Sequence, residues 1–341
     1  MPAEWEEQEC VWFSWPLNPT TWHGRLPAIR RAFAEAIAPL TGFEPVRIIC
    51  AGSAQAEAER ILQAAGADLG LIEYFDIPTD DVWCRDHGPT FVRRLGTGNV
   101  EIIDWCYNAW GGKFPPWDKD DAVPARVAEA LEMPRRRVDL VCEGGALEVN
   151  GEGLLMTTES VLLNPNRNPG RSRREVEAIL MGVLGVERIL WLNRGMDTDD
   201  TDGHIDTLAR FWKRDGVAAP RAPVGHPDHH VLEENWERLQ DLRTPAGGHF
   251  DMAALPHPNP VVADGARHER LPATYANFLI VNGAVLVPTY GQGQQDQAAC
   301  GLIGELFSDR EIIDRDSSMI LWEGGSFHCL SQQQPGGGLG G

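Results

Sequence analysis

The chain has 341 residues, 43% of them hydrophobic, enough to bury a large core as one big domain or two smaller ones. Its 30 Lys plus Arg stand against 50 Asp plus Glu, so the surface field repels nucleic acid and anionic membrane and draws in small cations. Seven cysteines with no CxxC pair, an acidic start without a basic or apolar leader, and no run near the ~20 apolar residues of a membrane span predict a reduced, unexported, cytoplasmic chain.

Short apolar runs at 10–15 and 46–50 predict strands, and the Ala- and Glu-rich stretch 54–65 predicts a helix. A further strand is expected to begin near Thr90, followed by a strand at 100–105, a helix at 124–131 and strands at 138–142 and Leu154–Thr158. Ser172, with Glu175 three residues on, is a capping-box start for a helix at Arg173–Leu184, and a strand follows at Arg188–Leu192. Residues 213–272 are richer in Pro, His and charge, and read as a long surface connection holding one helix at 230–242. After Pro335 the tail 336–341 is nearly all glycine and is predicted to be disordered, which leaves 1–335 as one domain.

Four polar clusters, at Asp86, Glu143, His204 and Cys329, accompany the strands at separations of 57, 61 and 125 residues. The last gap is about twice the others, as a repeated strand and helix unit requires. Two clusters also echo one another, Cys142-Glu143-Gly144-Gly145 and Trp322-Glu323-Gly324-Gly325. Five such units around an axis would bring all four clusters to one central place.

Each cluster carries residue types suited to one chemistry. Cys329, just past a Gly-Gly turn, is a candidate nucleophile, because a thiolate is the strongest nucleophile among side chains. His204 and Asp206 fall on one face if 204–208 is a strand, which would aim an imidazole and a carboxylate together. Such an imidazole can protonate a leaving amine and later deprotonate water. Asp86, and Glu143 beside two glycines, offer oxygens that match the planar N–H fork of a guanidinium, and Trp83 can cover its face. Taken singly, each has a plainer explanation: a packed thiol, a surface strand pair, an Arg85–Asp86 loop ion pair, a turn glutamate. A metallohydrolase using His204, Asp206 and the group His226, Asp228, His229 and His230 is a second alternative, and a protein that holds guanidino ligands without turning them over is a third.

In order along the chain, Trp83-Cys84-Arg85-Asp86-His87-Gly88-Pro89, Glu143-Gly144-Gly145, Gly203-His204-Ile205-Asp206 and His328-Cys329-Leu330-Ser331-Gln332-Gln333-Gln334-Pro335 together resemble the agmatine deiminases, within the wider guanidino-modifying enzymes that include bacterial peptidylarginine deiminases. The similarity runs nearly end to end, through Trp12-Phe13-Ser14-Trp15-Pro16, Asn108-Ala109-Trp110-Gly111-Gly112 and Leu163-Asn164-Pro165-Asn166-Arg167. It implies an α/β fold of five pseudo-symmetric units, a pentein-like propeller around a central active site. It further implies Cys329 as nucleophile, His204 as general acid and base, Asp86 and Asp206 as the carboxylates gripping the guanidinium, and Glu143 as a further acid of the site. The implied reaction hydrolyses agmatine to N-carbamoylputrescine and ammonia, with no metal or organic cofactor, in a homodimer. Arginine or a C-terminal peptidylarginine is the alternative substrate, with Arg93, Lys113 or Arg167 as candidates to hold its carboxylate.

Overall fold

The computed structural model describes residues 1–337. The first unit begins with strand β1 (Gln8–Ser14), helix α1 (Leu26–Ile37) and strand β2 (Val46–Ile49), then helix α2 (Gly52–Ala64) and strand β3 (Ile72–Phe75). Strands β1, β2 and β3 run parallel, as helical crossovers require. The next unit is β4 (Thr90–Arg93), β5 (Val100–Cys106), α3 (Val123–Ala130) and β6 (Arg135–Val141); the third is β7 (Glu148–Val149), β8 (Leu154–Thr158), α4 (Arg173–Leu184) and β9 (Arg188–Leu192). In both, the first strand is antiparallel to the second and the third is parallel to it. The capping box forms at the start of α4: Ser172 Oγ accepts from Glu175 N–H, and Glu175 Oε2 accepts from Ser172 N–H at 2.7 Å.

Residues 213–272 are not a connection. They belong largely to a fourth unit of the same kind, β10 (Arg210–Lys213), β11 (Gly216–Arg221), α5 (His229–Asp241) and β12 (Asp251–Pro256), followed by a small hairpin of β13 (Val261–Val262) and β14 (Arg270–Leu271). Its strands are alanine-rich and carry prolines at Pro220 and Pro256, which read as a turn in sequence. Small Ala218 and Ala253 are what let this sheet pack against Phe278 and Ile280 of the neighbouring unit. The fifth unit is β15 (Leu279–Val281), β16 (Ala284–Thr289), α6 (Gln294–Leu306) and β17 (Glu311–Asp316). Strand β18 (Ser331–Pro335) then pairs antiparallel with β1, Phe13 opposite Ser331 and Val11 opposite Gln333, so the C-terminal strand completes the N-terminal sheet.

Among the described residues the fold is mixed α/β, with five sheets that share an antiparallel-then-parallel pattern and a sixth formed by the β13–β14 hairpin. Among the described residues no helix is long and apolar enough to cross a membrane. Gly336, expected to be disordered, is held: its N–H donates to the Glu7 carbonyl at 3.0 Å and its own carbonyl accepts from Arg93 Nε at 2.9 Å. Residues 338–341 of the expected tail lie outside the described residues.

Candidate active site

The first strands of units two to four, and β18, each follow a single helical turn that carries the polar cluster. Cys84–His87 precedes β4, Gly144–Ala146 precedes β7, Ile205–Thr207 precedes β10 and Phe327–Leu330 precedes β18. His204 and Asp206 therefore do not share a strand face; His204 caps and Asp206 sits within a 3₁₀ turn, and the turn rather than a two-residue period brings them to the site. The short turns let backbones approach closely. At Gly145 an added Cβ would lie 2.5 Å from His204 Nδ1 and 2.8 Å from Asp86 Oδ1, so only glycine fits.

Asp86, Glu143 and His204 form one contact group, all buried. Asp86 Oδ1 accepts from Gly145 N–H at 3.1 Å and lies 3.6 Å from His204 Nδ1, while its Oδ2 accepts from Trp110 Nε1 at 2.9 Å. Glu143 does not turn into the cavity. Its Oε1 accepts from Arg167 Nε at 2.6 Å, both side chains fully buried, and its Oε2 faces His204 Nε2 at 3.9 Å. Arg167 is tied in turn to Asp202 at 2.7 Å, so Glu143 braces the imidazole on a second side.

Cys329, Asp206 and His328 form the other group. The Cys329 thiol donates to Asp206 Oδ2 at 3.6 Å, and that oxygen also lies 2.7 Å from His328 Nδ1. Asn277, just before β15, binds this group together: its Oδ1 accepts from Cys329 N–H at 3.3 Å and its Nδ2 donates to the Asp206 carbonyl at 3.4 Å. Arg85 is not paired with Asp86, as a loop ion pair would have it. It points away, to Gln333 Oε1 at 2.5 Å and the His328 carbonyl at 3.2 Å.

Electrostatically the two groups are one. Burial pushes Asp86 up to about 6, opposed by His204 and reinforced by Asp206 and Glu143. Burial alone would lower His204, yet Asp86 and Glu143 overcome it and raise the imidazole to about 9. Burial likewise works against the charged forms of Glu143 and Asp206, but Arg167 holds Glu143 below the usual carboxylate range and His328 does the same for Asp206. Burial, with Asp206 and Asp86, pushes the Cys329 thiol well above its ordinary value. These directions favour a neutral thiol at Cys329 and a protonated ring at His204. Four buried polar atoms here have no partner among the described residues: Asp206 Oδ1, Glu143 Oε2 and both ring nitrogens of His204.

A cavity of about 280 Å³ reaches this centre, with Cys329, Asp86, Trp83 and Trp110 in its lining. A Cβ at Gly325 would lie 2.3 Å from the Trp83 ring, so glycine there makes room for the indole. Further out the lining is acidic, with Asp80, Asp81, Asp120, Asp200 and Glu323. Burial pushes Asp81 up to about 6 and Glu323 up to about 7. The cavity's two cations are paired: Lys113 with Asp202 at 2.7 Å, and Arg267 with Asp200 at 2.8 Å and Glu323 at 3.1 Å. Arg93, by contrast, pairs with Glu6 and is absent from the cavity wall.

The alternative metal group does not form with His204. His226, Asp228 and His257 come together instead, outside the cavity lining, and Arg270 Nη1 sits 2.5 Å from Asp228 Oδ2. The cation opposite that carboxylate is thus a guanidinium, and His226 Nδ1 is already accepting from Asp228 N–H.

Fold and site together define a mixed α/β protein with a buried cysteine, histidine and carboxylate centre at the end of an acidic cavity. The chain belongs to the Porphyromonas-type peptidyl-arginine deiminase family, whose profile matches residues 1–335. It is 36% identical to an agmatine deiminase of Pseudomonas aeruginosa over 98% of this chain and 95% of that one. Among solved structures it is similar to the agmatine deiminase of Enterococcus faecalis, with TM-score 0.91 and 31% identity over 98% and 95% of the two chains. It is also similar to a C. jejuni agmatine deiminase with substrate bound, with TM-score 0.89 and 31% identity over 99% and 96%.

Sequence reading missed Trp110, Asn277 and His328. Trp110 and His328 stand inside the motifs that carry the resemblance, but nothing in the sequence gives their partners. The double gap before Cys329 was the signal for Asn277, since it calls for one more cluster between units four and one.

Proposed function

We propose that this chain hydrolyses agmatine to N-carbamoylputrescine and ammonia through a covalent intermediate on Cys329. The observation that carries this reading is the cavity. It ends on Asp86 and the Cys329 thiol, Asp206 stands 3.6 Å from that thiol with its buried Oδ1 unpartnered, and the outer wall holds carboxylates in excess of the paired Lys113 and Arg267. A guanidinium satisfies the inner acceptors, and a second cationic end suits the outer ones. The agmatine deiminases to which the chain is similar support the same substrate.

In this reading the bound guanidinium lies between Asp86 and Asp206 under Trp83. Its charge offsets Asp206 and Asp86, which with burial hold the thiol neutral, so Cys329 loses its proton to solvent as the ligand enters. The thiolate forms a bond to the central carbon, and the electron pair of one C–N bond leaves with a proton taken from His204, releasing ammonia. His204, now neutral, takes a proton from water as it adds to the thiouronium carbon. The C–S bond breaks, the sulfur takes up the extra proton of the ureido product, and the product leaves with the thiol restored. Glu143 and Asp86 keep the imidazole oriented and favour its protonated form.

The five repeated units are proposed to surround a pseudo-fivefold axis as a propeller. Glu4 supports this arrangement by meeting several of them: its carboxylate contacts Arg210 of β10, Ile280 N–H of β15 and His328 before β18, and Arg210 reaches on to Glu148 of β7.

The test is kcat/KM for agmatine, arginine and a peptide ending in arginine, at low and high ionic strength. Agmatine is expected to lead by ~100-fold or more, since an unpaired α-carboxylate among these acids costs at least about 3 kcal/mol. Its lead should narrow with salt. Equal turnover of either carboxylate-bearing substrate would overturn the agmatine assignment.

A further inference from the structure

His328 has no role in the chemistry above, yet it is buried between two carboxylates. Its Nδ1 lies 2.7 Å from Asp206 Oδ2 and its Nε2 lies 2.8 Å from Glu4 Oε2. Glu4 is itself fixed: Oε2 also accepts from Arg210 Nη2 at 2.8 Å and Oε1 from Ile280 N–H at 2.8 Å. Arg210 is anchored by Glu148 and by the Phe278 carbonyl. The backbone on either side of the His328 ring is pinned as well, with His328 N–H donating to the Asn277 carbonyl and its own carbonyl accepting from Arg85 Nε. A rigid chain of contacts therefore runs from the N-terminal segment through one imidazole to the carboxylate that touches the nucleophile.

We infer that His328 is a positioning residue, oriented by Glu4, that locks the Asp206 carboxylate with Oδ2 beside Cys329 and Oδ1 free for the guanidinium. The inference rests on Asp206 gripping the substrate, as proposed above. The physical case is the division of labour between the two oxygens. Oδ2 is occupied by His328 Nδ1 and the thiol, whereas Oδ1 is buried and has no partner among the described residues. Without the imidazole, rotation about χ2 would exchange the oxygens or turn the carboxylate away from the thiol, because among the described residues no side-chain donor other than the thiol reaches it.

Two substitutions separate the halves of the chain of contacts. The side-chain amide nitrogen of His328→Asn falls close to the Nδ1 position and keeps the donor to Asp206 while losing Glu4; that of His328→Gln falls close to Nε2 and keeps Glu4 while losing Asp206. His328→Gln is expected to lower kcat/KM by roughly 100-fold, the scale of a misplaced reacting group. Agmatine affinity, read by calorimetry in the Cys329→Ser background, should weaken in parallel. His328→Asn is expected to recover most of that loss. If both variants lose stability but share the same kcat/KM per folded molecule, or if His328→Gln stays within twofold of wild type, the inference fails. Should His328→Gln not fold, ¹⁵N-histidine spectra of the Cys329→Ser chain serve instead. Agmatine must shift the His328 Nδ1 resonance, and an unmoved signal overturns the role. Asp206→Asn run alongside keeps the two ideas apart: normal kinetics there would sink the reading of Asp206, whereas a slow Asp206→Asn with an unaffected His328→Gln would sink only the inference.

Discussion

Replacing Asp86 by asparagine changes no atom count at the cavity floor but alters three interactions at once. The carboxylate accepts from Gly145 N–H and Trp110 Nε1, so an amide must turn its NH2 toward one of two donors. It also removes the charge that does most to raise His204 to about 9 against burial, and one of the two carboxylates proposed to hold the guanidinium. Removing one member of a buried charged pair costs roughly 3–5 kcal/mol. At ~1.4 kcal/mol per factor of ten, kcat/KM for agmatine is expected to fall between about 100-fold and several thousand-fold. Ammonia release at several pH values gives the assay, with thermal melts on the same protein. The alkaline limb of the profile should move down from about 9, because the imidazolium loses its main partner, and the acid limb near 6 should vanish with the group that titrates there. Kinetics within tenfold of wild type, or a loss of stability with an unmoved alkaline limb, would refute the placement of Asp86 against substrate and imidazole.

Cys329→Ser is expected to abolish turnover while agmatine still binds, since the hydroxyl is nearly isosteric but far less nucleophilic; a variant above a few per cent of wild-type rate, or an inhibitor trapped on buried Cys84 instead, would contradict the mechanism. In the wild type, kcat/KM should be bell-shaped: it rises as Asp86 ionises near pH 6 and declines as His204 loses its proton near pH 9, and a profile flat across 5–10 would exclude both assignments. Arg167→Met strands Glu143 in a fully buried site, which should cost about 3–5 kcal/mol and lower Tm by roughly 10 °C, with activity falling because the imidazole loses its brace; an unchanged melt would show the pair to be dispensable.

Much of this was legible from the sequence because polar clusters in an otherwise apolar pattern are conspicuous, and because 3.6- and two-residue periods mark helices and strands wherever side chains are large. Helix α4 with its Ser172 cap and strand β9 match their expected bounds for that reason. The fourth unit was hidden by alanines and by prolines at strand ends, which carry no periodic signal; its burial depends on partners in the fifth sheet, a long-range fact. The same limit applies at the site. His204 and Asp206 were read as sharing a strand face, whereas a 3₁₀ turn carries them, and Glu143 was read as a ligand although Arg167, 24 residues on, claims one of its oxygens. Glu4 stands in a run, Met1–Trp5, that shares in the family resemblance, but its role has no sequence signal, since an acid in an acidic N-terminus is unremarkable until Arg210, 206 residues away, is seen beside it.

The arrangement couples recognition to reactivity in a way that a pre-ionised thiolate would not. Burial, Asp206 and Asp86 favour a protonated Cys329, while Asp86 and Glu143 favour a charged His204 ready to donate. A neutral ligand entering this cavity leaves both conditions unchanged and meets a poor nucleophile. In the proposed pose a guanidinium alters one without spoiling the other: it would lie against Asp86 and Asp206, which help to raise the thiol, while Glu143 faces the imidazole from the far side with Arg167 fixing its second oxygen. Ionising the thiol thus becomes a consequence of binding the correct cation, and the proton donor survives that event because its support comes from two carboxylates on separate turns. In this proposal selection of a cation over a neutral ligand needs no dedicated filter at the cavity mouth, since a cation at the two carboxylates itself favours the nucleophile that attacks it.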